Sequence, residues 1–162
     1  MKNTIVIMLS LLFFACATNT TNTNTTEDST GSAGAITNAV NNIPFEEAKN
    51  YFVKNTFKAD SLTDSKIVTQ KGFDAIFGMA STMSAQGKPT SIDFSKQYVI
   101  AVIQPATDKA TTLKVESLTQ KENDIILSYT KAEGEKQSFT TRPFLLLIVD
   151  NTYNGNIVVK KQ

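Results

Sequence analysis

The 162-residue chain contains no histidine and no tryptophan, a single cysteine (Cys16) and a single arginine (Arg142). Without histidine it cannot assemble a Ser-His-Asp or Cys-His site, nor the usual histidine-containing zinc sites. One cysteine excludes an internal disulfide and a thiolate cluster. The seven glycines are scattered, so no phosphate-cradling loop is present. Asp60, Asp64, Asp74, Asp93, Asp108, Asp124 and Asp150 offer no pair spaced for shared acid–base work, and none opens a calcium loop. No metal and no cofactor is expected. Catalysis would rest on carboxylates, lysines and tyrosines alone, which argues against an enzyme. Lys+Arg number 16 against 15 Asp+Glu, with no basic block, so no nucleic-acid partner is expected either.

What is present begins at the amino end. After Met1-Lys2-Asn3, the run from Thr4 to Ala15 (TIVIMLSLLFFA) is almost wholly apolar. It has the length of a signal-peptide core and is shorter than the roughly 20 residues that span a bilayer. Small Ala15 precedes Cys16, and LFFAC resembles the lipobox of bacterial lipoproteins. That resemblance implies a diacylglycerol thioether on Cys16, cleavage before it, and a membrane partner reached through the lipid. An ordinary secretory signal or an uncleaved anchor is the competing reading. Residues 16–42, after the expected signal peptide at 1–15, are mostly Asn, Thr, Ser, Gly and Ala. Such a stretch buries too little surface to offset its ordering entropy, so it is expected to be a flexible tether. Its reach would be about 25–30 Å.

The position after the cysteine is Ala17, and no acid occurs before Glu27-Asp28. In some bacteria an Asp directly after the cysteine retains a lipoprotein in the inner membrane, and in certain Gram-negative gut bacteria acidic residues there mark surface display; neither is present, which favours the outer membrane and its periplasmic side. Asp28-Ser29-Thr30 and Asp60-Ser61-Leu62 resemble the short O-glycosylation motif of certain Gram-negative gut bacteria, which would modify Ser29 and Ser61. Unmodified polar residues are the plainer reading.

Residues 43–162 are expected to form one domain. PFEEAKNYF (residues 44–52) reads as a short amphipathic helix passing into a strand, and Gly72–Met83 as the clearest helix, with Phe73, Ile76, Phe77, Ala80 and Met83 on one face. Strands follow. YVIAVI (98–103) and FLLLIV (144–149) are uninterrupted apolar runs, as in strands covered on both faces. Thr112–Leu118 and Asp124–Thr130 alternate, and Ile157–Val159 ends the pattern. Turn-rich stretches at 105–109, 120–123, 132–136 and 150–156 separate them. The expected class is α+β and β-dominated: a mainly antiparallel sheet of about five to seven strands with one or two short packed helices.

Ile92-Asp93-Phe94-Ser95-Lys96, followed by Val99 and Ala101-Val102, and later Thr141-Arg142-Pro143-Phe144, resemble the pattern of the PrcB-type carboxy-terminal domain. The likeness covers roughly Phe73 to Lys160. It implies a small secreted or lipid-anchored protein that partners a protease, in a family most of whose members have no assigned activity. Members often carry a Gly-Gly-Tyr segment after the first of these strands. Here Ala106–Thr112 stands in its place, including Asp108 and Lys109.

Arg142, Pro143, Phe144, Asp108 and Lys109 are therefore the candidate partner-binding residues. The guanidinium of Arg142 could pair with a partner's carboxylate from a rigid loop tip. Alternatively, Arg142 opens a strand and pairs internally with an aspartate, while Phe144 belongs to the core. Two functions stay open: a lipid-anchored, noncatalytic envelope module that engages a protein partner, a protease or another envelope protein, and a structural lipoprotein component without an enzyme partner.

Overall fold

The two uninterrupted apolar runs lie side by side at the centre of the molecule. The computed structural model describes residues 40–62, 64–80 and 87–162. The expected signal segment, Cys16, Ser29 and the tether as far as residue 39 lie outside the described residues. The paired runs are β6 (Gln97–Ile103) and β9 (Phe144–Asp150), antiparallel with Val99 opposite Ile148 and Ile100 opposite Leu147. Side chains alternate across a strand, so this two-stranded centre has two apolar faces. Tyr98, Ile100, Val102, Leu145, Leu147 and Val149 point one way, while Val99, Ala101, Ile103, Leu146 and Ile148 point the other. Short strands β2 (Glu46–Glu47) and β4 (Lys66–Ile67) flank the pair, giving the order β2-β9-β6-β4.

Each face is covered by a different layer. A second sheet, in the order β1-β7-β8-β10, packs on the first face with Leu118, Ile125, Leu127 and Tyr129. Its strands are β1 (Asn41–Asn42), β7 (Thr107–Lys121), β8 (Asp124–Thr141) and β10 (Asn156–Lys161). On the opposite face lie the helix α1 (Gln70–Ile76) and the pair β3 (Tyr51–Val53) and β5 (Phe77–Met79). Phe73 of α1 is the hub there, its ring 5.1 Å from Tyr51, 5.0 Å from Phe77 and 5.9 Å from Phe94. All described residues belong to one unit, Ile36–Gln162.

The expected β-dominated class holds, and among the described residues every strand pairing is antiparallel except that of β10 with β8. Several local expectations are corrected. Ten strands occur among the described residues rather than five to seven, because short edge segments also join the ladders. Phe45–Phe52 is not helical. Glu46 and Glu47 pair with Ile148 and Leu147, and Asn50, at φ 62°, turns the chain into β3.

The helix expected over Gly72–Met83 starts earlier, at Gln70, and stops at Ile76; the end of the expected span, 81–83 with Met83, lies outside the described residues. Its amino end is set by Thr69, whose hydroxyl accepts from the Gly72 amide at 3.1 Å. It ends because Phe77-Gly78-Met79 is recruited as a strand against Tyr51–Val53. Gly78 suits a helix poorly and suits this pairing well. A Cβ there would lie 2.5 Å from Cζ of Phe52, whose ring covers the glycine.

The turn-like stretches 105–109 and 132–136 lie largely within β7 and β8, which form one long hairpin. Asn41 and Asn42, placed in the tether by the sequence, pair with Gln120 and Thr119, so ordered structure begins before residue 43.

Candidate functional site

The hairpin turn is at Glu122-Asn123, beside the amino end of β10, where Asn156 donates its amide to the Asn123 carbonyl at 2.8 Å. From there the β7–β8 ribbon crosses the core and runs beyond it. Gln162 donates to the Tyr129 carbonyl at 2.9 Å, and the β10 ladder ends there. Past that point, among the described residues, the sheet consists of the two strands of the ribbon.

A two-stranded ribbon is marginal by itself. This one is laced by charges: Lys109 to Glu133 at 2.8 Å, Lys131 to Glu133 at 2.7 Å and Lys136 to Asp108 at 3.0 Å. Hydrogen bonding from Lys109, then from Lys131, pulls the exposed Glu133 carboxyl down to about 2, and Glu133 in turn raises the Lys109 ammonium. Asp108 and Lys109 are thus ion-pair members of a strand, not tips of a free loop. The composition of AEGEK (132–136) reads as a turn, because sequence does not reveal which charges stand opposite one another.

Where β8 ends, Thr141-Arg142-Pro143-Phe144 carries the chain into β9, and two grooves meet. One, about 410 Å³, lies between the ribbon and this connection; Thr111, Leu113, Gln137 and Phe139 help to line it. The other, about 520 Å³, is bordered by Phe52, Asn55, Ala106 and Thr140. Both share Thr141, Arg142 and Phe144. Phe139 is 57% exposed and Phe52 47% exposed, so each groove has a bare aromatic ring on its rim.

The single arginine does not present a free fork. Its Nη1 donates to the Phe57 carbonyl at 2.6 Å and its Nη2 to the Ala59 carbonyl, with the guanidinium 5.4 Å from the Phe57 ring centre. Arg142 therefore clamps the 57–59 segment. The internal partner is a pair of backbone carbonyls rather than the aspartate considered from sequence. Pro143 is buried, and its carbonyl accepts from the Gln104 amide at 2.9 Å. Half-buried Phe144 stands opposite Ile103, its ring 5.7 Å from Phe77, so it is core with one edge in both grooves. The structure brings Arg142, Pro143 and Phe144 together and leaves Asp108 and Lys109 on the adjoining ribbon. Sequence reasoning passed over Phe139 and Phe52. The one available signal was a phenylalanine amid the polar run QSFTT (137–141).

Ser61 is exposed in a bend beside Asp60, so its hydroxyl is accessible. Among the described residues no group of three or more His, Cys, Asp or Glu side chains is placed to hold a metal ion, and no helix is long and apolar enough to cross a membrane.

Neither family models, nor curated proteins, nor solved structures match this chain. The site is therefore read from its own chemistry. Two open grooves, exposed aromatic rims and an internally occupied arginine are its features.

Proposed function

We propose that the chain is a lipid-anchored, noncatalytic module of the bacterial envelope that engages a protein partner through the paired grooves around Phe144. The observation that carries this reading is the placement of half-exposed Phe52 and Phe139 on the rims of two adjoining grooves that share half-buried Phe144, with buried Val53 and Pro143 in their linings. Exposed aromatic rings on a rigid support are the usual energetic centres of protein contacts. The anchor rests on LFFAC and Cys16, with the outer membrane and its periplasmic side favoured. A protease is the partner class implied by the likeness of 92–102 and 141–144 to the PrcB-type pattern.

A second reading, a structural envelope component without an enzyme partner, draws support from Arg142. Its two hydrogen bonds to the 57–59 segment give that residue a structural role.

Co-purification from solubilised membranes, with and without a protease active-site probe, separates the two. Phe139→Ser is expected to lower partner recovery at least tenfold while the melting temperature stays within about 2 °C, since exposed positions contribute little to stability. Full recovery with Phe139→Ser removes the groove from the proposal. Recovery of no protease, with the chain instead held in a larger envelope assembly, favours the second reading.

A further inference from the structure

We propose that the open edge of β7 accepts an extended, uncharged segment of a partner polypeptide as an added strand. This inference rests on the reading of the chain as a binding module. Among the described residues, the outer edge of β7 is met by β1 only at Thr119 and Gln120, with Ile43 donating to the Leu118 carbonyl at 2.9 Å. The edge from Thr107 to Ser117 has no strand beside it.

The direction of its backbone groups follows from the ladder. The Tyr129 carbonyl accepts from Gln162, on the side of β8 away from β7. Its antiparallel partner Val115 must then turn its own N–H and C=O outward, and alternation gives Leu113 and Thr111 the same direction. Backbone donors and acceptors so displayed are complementary to one chemistry, another chain in β conformation.

Of the ribbon's two edges, that of β7 is the regular one as far as Val115. The register runs Thr107 to Thr141, Lys109 to Lys136 and Thr111 to Glu133, so the extra residues of this stretch lie on β8, whereas the step from Val115 opposite Tyr129 to Ser117 opposite Ser128 puts one extra residue on β7. Bulges disrupt an edge for pairing. They spoil β8 and leave β7 continuous from Thr107 to Val115.

Charge selects the partner. Asp108, Lys109, Lys131, Glu133 and Lys136 are mutually paired, and Lys114 reaches Glu116 at 3.3 Å. Lysines guard an edge when their charges are unanswered. Here they are answered within the ribbon, so an incoming uncharged strand meets no uncompensated charge. Its inward side chains would lie beside Thr111 and Leu113, which line the groove under Phe139.

The probe is a capped nonapeptide of alternating valine and threonine, titrated into the purified full chain and read by residue-resolved amide exchange and sedimentation. Saturable binding with new protection at Thr111, Leu113 and Val115 is expected. The same peptide N-methylated at its valines, stripped of donors, should fail. Thr111→Pro removes an outward N–H without breaking a β7–β8 bond and should weaken binding at least tenfold.

No binding of the unmethylated peptide, or protection elsewhere, overturns the proposal. So does protection of these three amides in the free chain, or a sedimenting dimer protected there, because the edge would already be covered by this chain or a second copy. Capture of a protein from membranes with β7 still unprotected refutes the edge and leaves the module reading standing. Peptide addition without any captured protein does the reverse.

Discussion

Arg142 shows how much one side chain's surroundings decide. Read as a lone arginine before a proline, it is either a docking group or one half of an internal pair with an aspartate; in the structure its guanidinium is spent on the Phe57 and Ala59 carbonyls. Arg142→Ala should therefore cost about 1–3 kcal/mol in a denaturant titration, because two acceptors lose a charged donor. Arg142→Lys should recover only part of that, since one ammonium cannot span both carbonyls as the planar fork does.

Tyr98 makes the opposite case. It is 1% exposed, its hydroxyl has no hydrogen-bond partner among the described residues, and the Lys66 ammonium lies 4.5 Å from its ring centre. Tyr98→Phe keeps the ring and removes the unpaired hydroxyl, so stability should be unchanged or slightly higher. Burial pushes the phenol up to about 12, above the ordinary value of 10.0. The folded state thus favours the neutral phenol. That contribution is complete below pH 10 and lost as pH rises towards 12. Unfolding curves in that window should fall more steeply for the wild type than for Tyr98→Phe.

At the scale of elements, the ribbon and the β10 junction carry the testable content. Gly155 lies where a Cβ would stand 2.4 Å from the Asn123 carbonyl oxygen, a backbone atom that cannot swing away. Gly155→Ala should displace the start of β10 from the hairpin turn and destabilise by about 1–3 kcal/mol, with exchange quickened first at Ile157–Val159.

In the ribbon, Glu133 is lowered to about 2, first by its hydrogen bond from Lys109. Its ionised form is favoured by folding, so the contribution is present above the unfolded carboxylate value and lost as pH falls through about 2. A side-chain titration should place the Glu133 midpoint near that value, and Lys109→Ala should raise it. An unchanged midpoint would mean that the pair is not formed in solution.

At the scale of the whole molecule, the central sheet is the organising feature. Leu146 and Leu147 are adjacent, yet each is buried, in clusters on opposite faces of β9. In a two-layer fold one of the two would face water. Leu146→Ala and Leu147→Ala are therefore both expected to cost about 2–5 kcal/mol, through lost burial and the cavity left behind. A small effect at either position would show that one covering layer is loosely held.

The sequence by itself determined the class and the middle of the fold. Six-residue apolar runs at 98–103 and 144–149, short and bounded by turn signals, read as strands covered on both faces, and alternation at 112–118 and 124–130 specified the one-sided sheet. It also determined the exclusions, since no arrangement of this chain yields a histidine. Tertiary structure alone decided the rest. Phe77–Met79 left the helix because Tyr51–Val53 was there to pair with it. The polar stretch 132–136 became strand because Lys109 and Lys131 stand within reach of Glu133. Arg142 turned inward because the 57–59 carbonyls, some 85 residues earlier in the chain, meet it in space. Hydrophobic periodicity is a local quantity, written along the chain. Which donor finds which acceptor depends on distances that exist only once the layers have closed.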